Sequence, residues 1–141
     1  MTDTNFTVAG NIEHFTIADI AQANPDFRKV IWTGRHAQIV LMTIPVGSEI
    51  GDEVHPDTDQ ILTFVSGTGH ADLAGHTHAV EAGDQCAVPA GTQHNFRNTR
   101  DEPLVLYTTY SPPEHAAEAA YATKDEADAA EAAGQDVPPR G

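Results

Sequence analysis

From Phe27 to Tyr110 the apolar residues fall into short or alternating runs separated by Gly, Pro and Asp. Alternation with a period of two is the mark of a strand that buries one face. The pattern predicts strands over Phe27–Thr33, Ala37–Ile44, Gln60–Ser66, Thr68–Leu73, His76–Val80, Gln85–Val88, His94–Asn98 and Leu104–Tyr110. Between them, Thr33-Gly34, Pro45-Val46-Gly47, Gly67, Ala74-Gly75, Ala82-Gly83-Asp84 and Pro89-Ala90-Gly91 carry turn chemistry. Glycine there supplies positive φ, and proline withdraws a ladder donor. Eight short strands at this spacing predict an all-β sandwich or closed barrel.

Beyond Tyr110 the pattern changes. Ser111-Pro112-Pro113-Glu114 offers a capping serine, a proline at the first helical position and a glutamate to close a capping box, so a helix is expected to begin there. Thr123-Lys124-Asp125-Glu126 repeats the signal, and Gly134 supplies a stop. Between Thr123 and Gly134 alanine is the only apolar residue, so residues 123–141 read as a solvated acidic tail. The chain divides into an N-terminal arm (1–26), a barrel (27–110) and an Ala-rich acidic helical tail (111–141).

A length of 141 residues fits one domain. With 21 Asp and Glu against 7 Lys and Arg, the net charge of −14 repels phosphate. Arg28-Lys29 is the only adjacent basic pair, so neither nucleic acid nor an anionic membrane is expected as a partner. The longest run of large apolar residues, Ile39-Val40-Leu41-Met42, is too short to span a bilayer. The single cysteine, Cys86, excludes an internal disulfide and reads as a buried core thiol. No Lys or Arg occurs in the first 27 residues, which argues against a secretory signal and for a cytoplasmic protein.

Chemistry enters with the stretch from Gly83 to Asn98. It reads Gly, five residues, Pro89-x-Gly91, two residues, His94, three residues, Asn98. Pro89 and Gly91 make a tight turn, and His94 then opens a strand with its imidazole directed inward. Upstream, Gly47 is followed by Glu53-Val54-His55, then Gln60, then Gly67. A period of two would put Glu53 and His55 on one face, within reach of one ion. Asp59 competes with Gln60 for the inward position; the register from Gly67 favours Gln60, with Leu62 and Phe64 following it.

These two stretches resemble the two motifs of the cupin superfamily. The block from Ile12 to His115 is similar to small single-domain, mannose-6-phosphate-isomerase-like cupins that carry Glu-x-His, Asp-Gln and Pro-Pro-Glu-His. Glu53 stands where a first histidine is usual, and Gln60 where a glutamate is usual. The resemblance implies a double-stranded β-helix (jelly-roll barrel), often a homodimer, with a mononuclear metal in the mouth. It implies Glu53, His55, Gln60 and His94 as metal ligands. Two imidazoles, one amide and one carboxylate keep one negative ligand, which suits divalent Fe, Mn, Ni, Zn or Cu.

Two functions follow as expectations. One is a metal-dependent enzyme, dioxygenase-like or isomerase/lyase-like, acting on a small polar molecule, with Glu53 as ligand and catalytic proton acceptor. The other is a non-catalytic metal or small-ligand binding module. His115 could reach the mouth as an acid or base, against the plainer reading of a surface residue on a first helical turn. Tyr107 and Tyr110 are candidate proton donors, and Phe96 and Met42 candidate pocket walls. His76 and His78 read as solvated. A dimer is expected to use an N-terminal strand against a partner's sheet edge.

Overall fold

The computed structural model describes residues 10–139. Chain order is α1 (Ile17–Ala23), β1 (Arg28–Thr33), β2 (Gln38–Ile44), β3 (Asp59–Ser66), β4 (Thr68–Leu73), β5 (His76–Glu81), β6 (Gln85–Val88), β7 (His94–Arg97), β8 (Leu104–Ser111), β9 (Ala120–Tyr121) and α2 (Lys124–Ala132). All eight expected strands form, with ends shifted by no more than one residue. One antiparallel sheet has the order β6-β3-β8-β2-β1-β9, and the other β5-β4-β7. The fold is therefore the predicted all-β double-stranded β-helix, with a short C-terminal helix.

Alternation decides what lies inside. On β3, Gln60, Leu62 and Phe64 point inward while Asp59 is exposed, its carboxylate accepting from Ala90 N–H at 2.9 Å. On β2, Gln38, Val40, Met42 and Ile44 are buried, and on β8 Leu104, Leu106, Thr108 and Tyr110. These meet Phe96 of β7, Val80 of β5 and Cys86 and Val88 of β6 in one core.

The outer face of the large sheet needs its own cover. Ala21 of α1, with Ile17 and Ile20, packs there on Leu41, Val105 and Tyr107. Strand alternation gives no sign of α1. Within the described part of the arm, residues 10–26 contain this helix and no strand. An interface strand from residues 1–9 falls outside the described residues.

The segment after β8 departs from expectation in two ways. No helix starts at Ser111; residues 112–119 run as an irregular segment, because the Gln38 side chain takes up the backbone N–H groups of Glu114 and His115 that would begin it. Nor is the tail merely solvated. Ala127 and Ala130 of α2 are buried, and Ala127 joins the core. Small side chains let this helix approach the barrel end closely, and Arg28, almost wholly buried, takes Glu131 as its counter-ion at 2.9 Å. The expected ends of α2 are present: Thr123 Oγ1 accepts from Glu126 N–H at 3.2 Å, and Gly134 turns the chain at φ 71°. Among the described residues no helix is long and apolar enough to cross a membrane.

One glycine is demanded twice over. Gly67 has φ 84°, and a Cβ there would run into the Pro103 carbonyl oxygen, whereas Gly83, at φ 94°, has open space around it. Gly83→Ala should cost about 1–2 kcal/mol for its left-handed backbone alone. Gly67→Ala should cost clearly more, because the β3–β4 turn must also move. Chemical denaturation of both variants checks this; equal losses would contradict the packing assigned to Gly67.

Candidate metal centre

The Pro89-x-Gly91 turn does more than join two strands. Gly91, at φ 82°, donates its N–H to His55 O at 2.8 Å, so the turn of the second motif holds the backbone of the first. Glu53 and His94 are joined by a two-bond bridge, Glu53 N–H to His94 O at 2.9 Å and His94 N–H to Glu53 O at 3.0 Å. Glu53 and His55 lie outside any strand, so this bridge and the Gly91 bond bring them together, rather than simple alternation. Asn95 fixes the loop further upstream, accepting from Gly51 N–H at 2.9 Å and donating to the Glu49 carboxylate. Asn98, the last residue of the motif, donates to Ile44 O and Glu102 O at 2.9 and 2.8 Å and so locks the end of β7.

The result is a compact cluster. Ligand-capable atoms of Glu53, His55 and His94 lie within 4.8 Å of one another, and the two imidazole centroids are 5.1 Å apart. Both histidines are buried; the Glu53 side chain keeps 21% of its surface accessible.

Hydrogen bonds define which ring nitrogens are free. His94 Nδ1 is 2.8 Å from Thr92 O. A carbonyl only accepts, so Nδ1 carries the proton and the Nε2 lone pair is available. His55 Nδ1 faces the Glu114 carboxylate at 3.2 Å, a charge contact that favours a proton on Nδ1 as well. Gln60 Nε2 donates to Thr108 Oγ1 and to Tyr110 Oη, both at 3.2 Å. Three buried atoms of these residues are then left without a hydrogen-bond partner: His55 Nε2, His94 Nε2 and Gln60 Oε1. Glu53 Oε1 is 3.5 Å from His55 Nε2, a charge contact rather than a well-formed hydrogen bond. Two imidazole nitrogens, an amide oxygen and a carboxylate are the donors a borderline divalent ion takes, so these residues fit a metal.

Electrostatics in the metal-free protein point the same way. Burial opposes ionisation of Glu53, but contact with His55 and its charge, with the charges of Arg28 and His94, hold its carboxyl below the usual range. Burial likewise opposes a charge on His55, yet bonding to Glu114 and Glu53 raises its pKa from 6.5 to about 9. The cluster binds positive charge, be it a proton or a metal.

Other candidates fall into place around it. Tyr110 lies inside, its ring edge-on to His55 at 5.7 Å and to His115 at 4.9 Å, and burial pushes its phenol well above the ordinary value. Tyr107 faces the opposite way, against α1. Phe96 stands beside His94 at 5.9 Å. His115 is neither on a helix nor at the surface: it is buried, with Nδ1 on Asp136 Oδ2 at 2.7 Å. His76 and His78 are exposed.

Motif spacing points to neither Glu114 nor Gln38. The local sequence of Glu114 reads as a helix cap, with nothing nearby to link it to His55. A polar residue at the inward phase of β2, followed by Val40, Met42 and Ile44, is the available signal for Gln38.

The family model of the cupin domain matches residues 40–110. YrkC of Bacillus subtilis is 40% identical over 114 residues, which cover 77% of this chain and 61% of that one. L612 of Acanthamoeba polyphaga mimivirus is 40% identical over 97 residues, 65% of this chain and 60% of that one. The chain thus spans about three fifths of the length of these curated relatives. The crystal structure of BH2720 from Bacillus halodurans superposes with a TM-score of 0.84 at 37% identity, over 85% of this chain and 96% of that one.

A pH dependence follows. Because the folded pKa of His55 is raised, its stabilising contribution in metal-free protein is complete below pH 6.5 and is lost as pH rises through about 9. Unfolding free energy measured in chelator should fall across that window by an amount on the order of 3 kcal/mol. The fall should largely vanish in His55→Gln. A wild-type profile that is flat over the window would contradict the paired geometry.

Proposed function

Because the chain belongs to the cupin-domain family, we propose that it is a mononuclear metal-dependent enzyme acting on a small polar molecule, with Glu53, His55, Gln60 and His94 as the ligands. The observation that carries this reading is the cluster of Glu53, His55 and His94, in which both imidazole Nε2 atoms are buried and unpartnered beside a carboxylate held in its ionised form. Fe, Mn, Ni, Zn and Cu all suit such donors. A divalent ion held there supplies a Lewis acid that polarises a substrate oxygen.

The chain's own groups have distinct roles. Glu53 is the most accessible of the cluster's carboxylate and imidazoles and is kept ionised, so it is both ligand and proton acceptor. Tyr110, held protonated by burial, accepts from Gln60 Nε2 and so keeps Gln60 Oε1 free as a weak fourth donor. Thr92 O and Glu114 hold the Nδ1 protons of His94 and His55, which leaves each Nε2 basic. The Glu53-x-His55 pair and Pro112-Pro113-Glu114-His115 support a place among the small mannose-6-phosphate-isomerase-like cupins, with a cytoplasmic homodimer as the working form.

A second reading, a non-catalytic metal or small-ligand module, draws support from the near-complete burial of both imidazoles. A closed shell would serve binding, whereas catalysis needs an open position.

Chelator-stripped protein reconstituted anaerobically with Fe²⁺, Mn²⁺, Ni²⁺ or Zn²⁺, then assayed for oxygen uptake and metabolite turnover, separates the two. One equivalent of metal and turnover with at least one ion are expected. Glu53→Ala with His94→Ala should lower metal affinity by more than the ~10–100-fold typical of losing an outer partner, and Gln60→Ala by less. Binding without turnover would favour the module. Unchanged metal content in the double variant would overturn the site.

A further inference from the structure

The C-terminal segment approaches the cluster by a route that packing alone does not require. Glu114 is 59 positions from His55 along the chain, yet its carboxylate lies 3.2 Å from His55 Nδ1. Its backbone is gripped by Gln38, which is fully buried. Gln38 Oε1 accepts from Glu114 N–H at 3.1 Å and His115 N–H at 2.9 Å, while its Nε2 donates to His115 O at 2.9 Å and Thr33 Oγ1 at 3.0 Å. Every hydrogen-bonding atom of that amide is occupied, three of its four bonds going to residues 114–115.

A second grip lies just beyond. Asp136, whose side chain has no accessible surface, accepts from His115 Nδ1 at 2.7 Å and Ala116 N–H at 2.8 Å, with Arg28 Nη1 at 3.8 Å. Such a buried carboxylate is expensive unless its partners are held in place, so α2 and the segment after β8 are fastened to one another. Mobility at Glu114 is thus removed from two sides.

We propose that this segment is a clasp that completes the cluster, with Glu114 as the positioning residue of His55 and with Gln38 and the His115–Asp136 pair setting Glu114. The proposal rests on the metal-centre reading and deepens it. Glu114 holds the Nδ1–H tautomer and the ring angle, so Nε2 presents its lone pair beside Glu53 and His94. An outer carboxylate on a ligating imidazole commonly changes metal affinity ~10–100-fold when removed.

Long-range proton–nitrogen correlation spectra of the zinc-loaded, ¹⁵N-labelled full chain test this, together with zinc affinity measured against a competing chelator at one pH for every variant. In wild type, His55 should be zinc-bound through Nε2 with a slowly exchanging Nδ1 proton. Glu114→Ala should lose that proton signal and bind zinc ~10–100-fold more weakly. Glu114→Gln keeps an acceptor oxygen and should restore the Nδ1 signal and most of the affinity. Gln38→Ala, which leaves Glu114 in place but ungripped, should shift the His55 signals in the same direction and serves if Glu114→Ala fails to fold. Wild-type affinity and an intact Nδ1 signal in Glu114→Ala, or in Gln38→Ala if that variant alone folds, would overturn the clasp. If wild type binds neither zinc nor any of the other divalent ions that suit these donors, the metal-centre reading itself fails; if metal binds but His55 is indifferent to Glu114, only the clasp fails.

Discussion

The structure depends on the placement of two imidazole Nε2 atoms, buried and without hydrogen-bond partners, beside one carboxylate. An unsatisfied buried polar group costs about 1–3 kcal/mol, so such a grouping persists only if the surrounding scaffold holds it or a cation satisfies it. Here the scaffold is the barrel. Two backbone bonds between Glu53 and His94, and one from Gly91 to His55, tie distant parts of the chain into one rigid mouth. The Thr92 carbonyl and the amide contacts of Gln60 leave His94 Nε2 and Gln60 Oε1 without hydrogen-bond partners.

The same constraint explains the acid-rich surroundings. A cluster that raises the affinity of His55 for a proton is a cluster that attracts positive charge, and Glu53 and Glu114 lie on either side of that ring. Arg28 is held by Glu131 and Asp136 on the tail side, while its charge still favours the ionised form of Glu53. The tail, with seven acids against two bases, is therefore part of the architecture, since it supplies the counter-ions that allow a buried arginine at the barrel end.

Much of this could be read from the chain. Strand alternation from Phe27 to Tyr110 and the Gly and Pro turns between runs were enough for all eight main strands, and the Gly67 register was enough to turn Gln60 inward. What was hidden depended on contacts distant in sequence. The α1 helix is seven residues long and its N-cap Thr16 makes no side-chain capping bond, so it depends on the outer sheet face it covers. Ser111-Pro112-Pro113-Glu114 carries a helix signature, but Gln38 claims the backbone that would have started the helix. The role of Glu114 could not be inferred from local spacing, because its partner is brought to it only by closure of the barrel. Alanines that looked too small to bury area proved small enough to fit against the barrel end.

The central claim is that these four side chains form one cation site. Crystals of the full chain grown with Mn²⁺ or Zn²⁺, measured at wavelengths on either side of the metal's absorption edge, test it most directly. The account predicts a single strong anomalous peak between the Nε2 atoms of His55 and His94, in bonding contact with Glu53 and next to Gln60 Oε1. No peak there, or a peak held instead by the exposed acids Asp52 or Asp57, would contradict it.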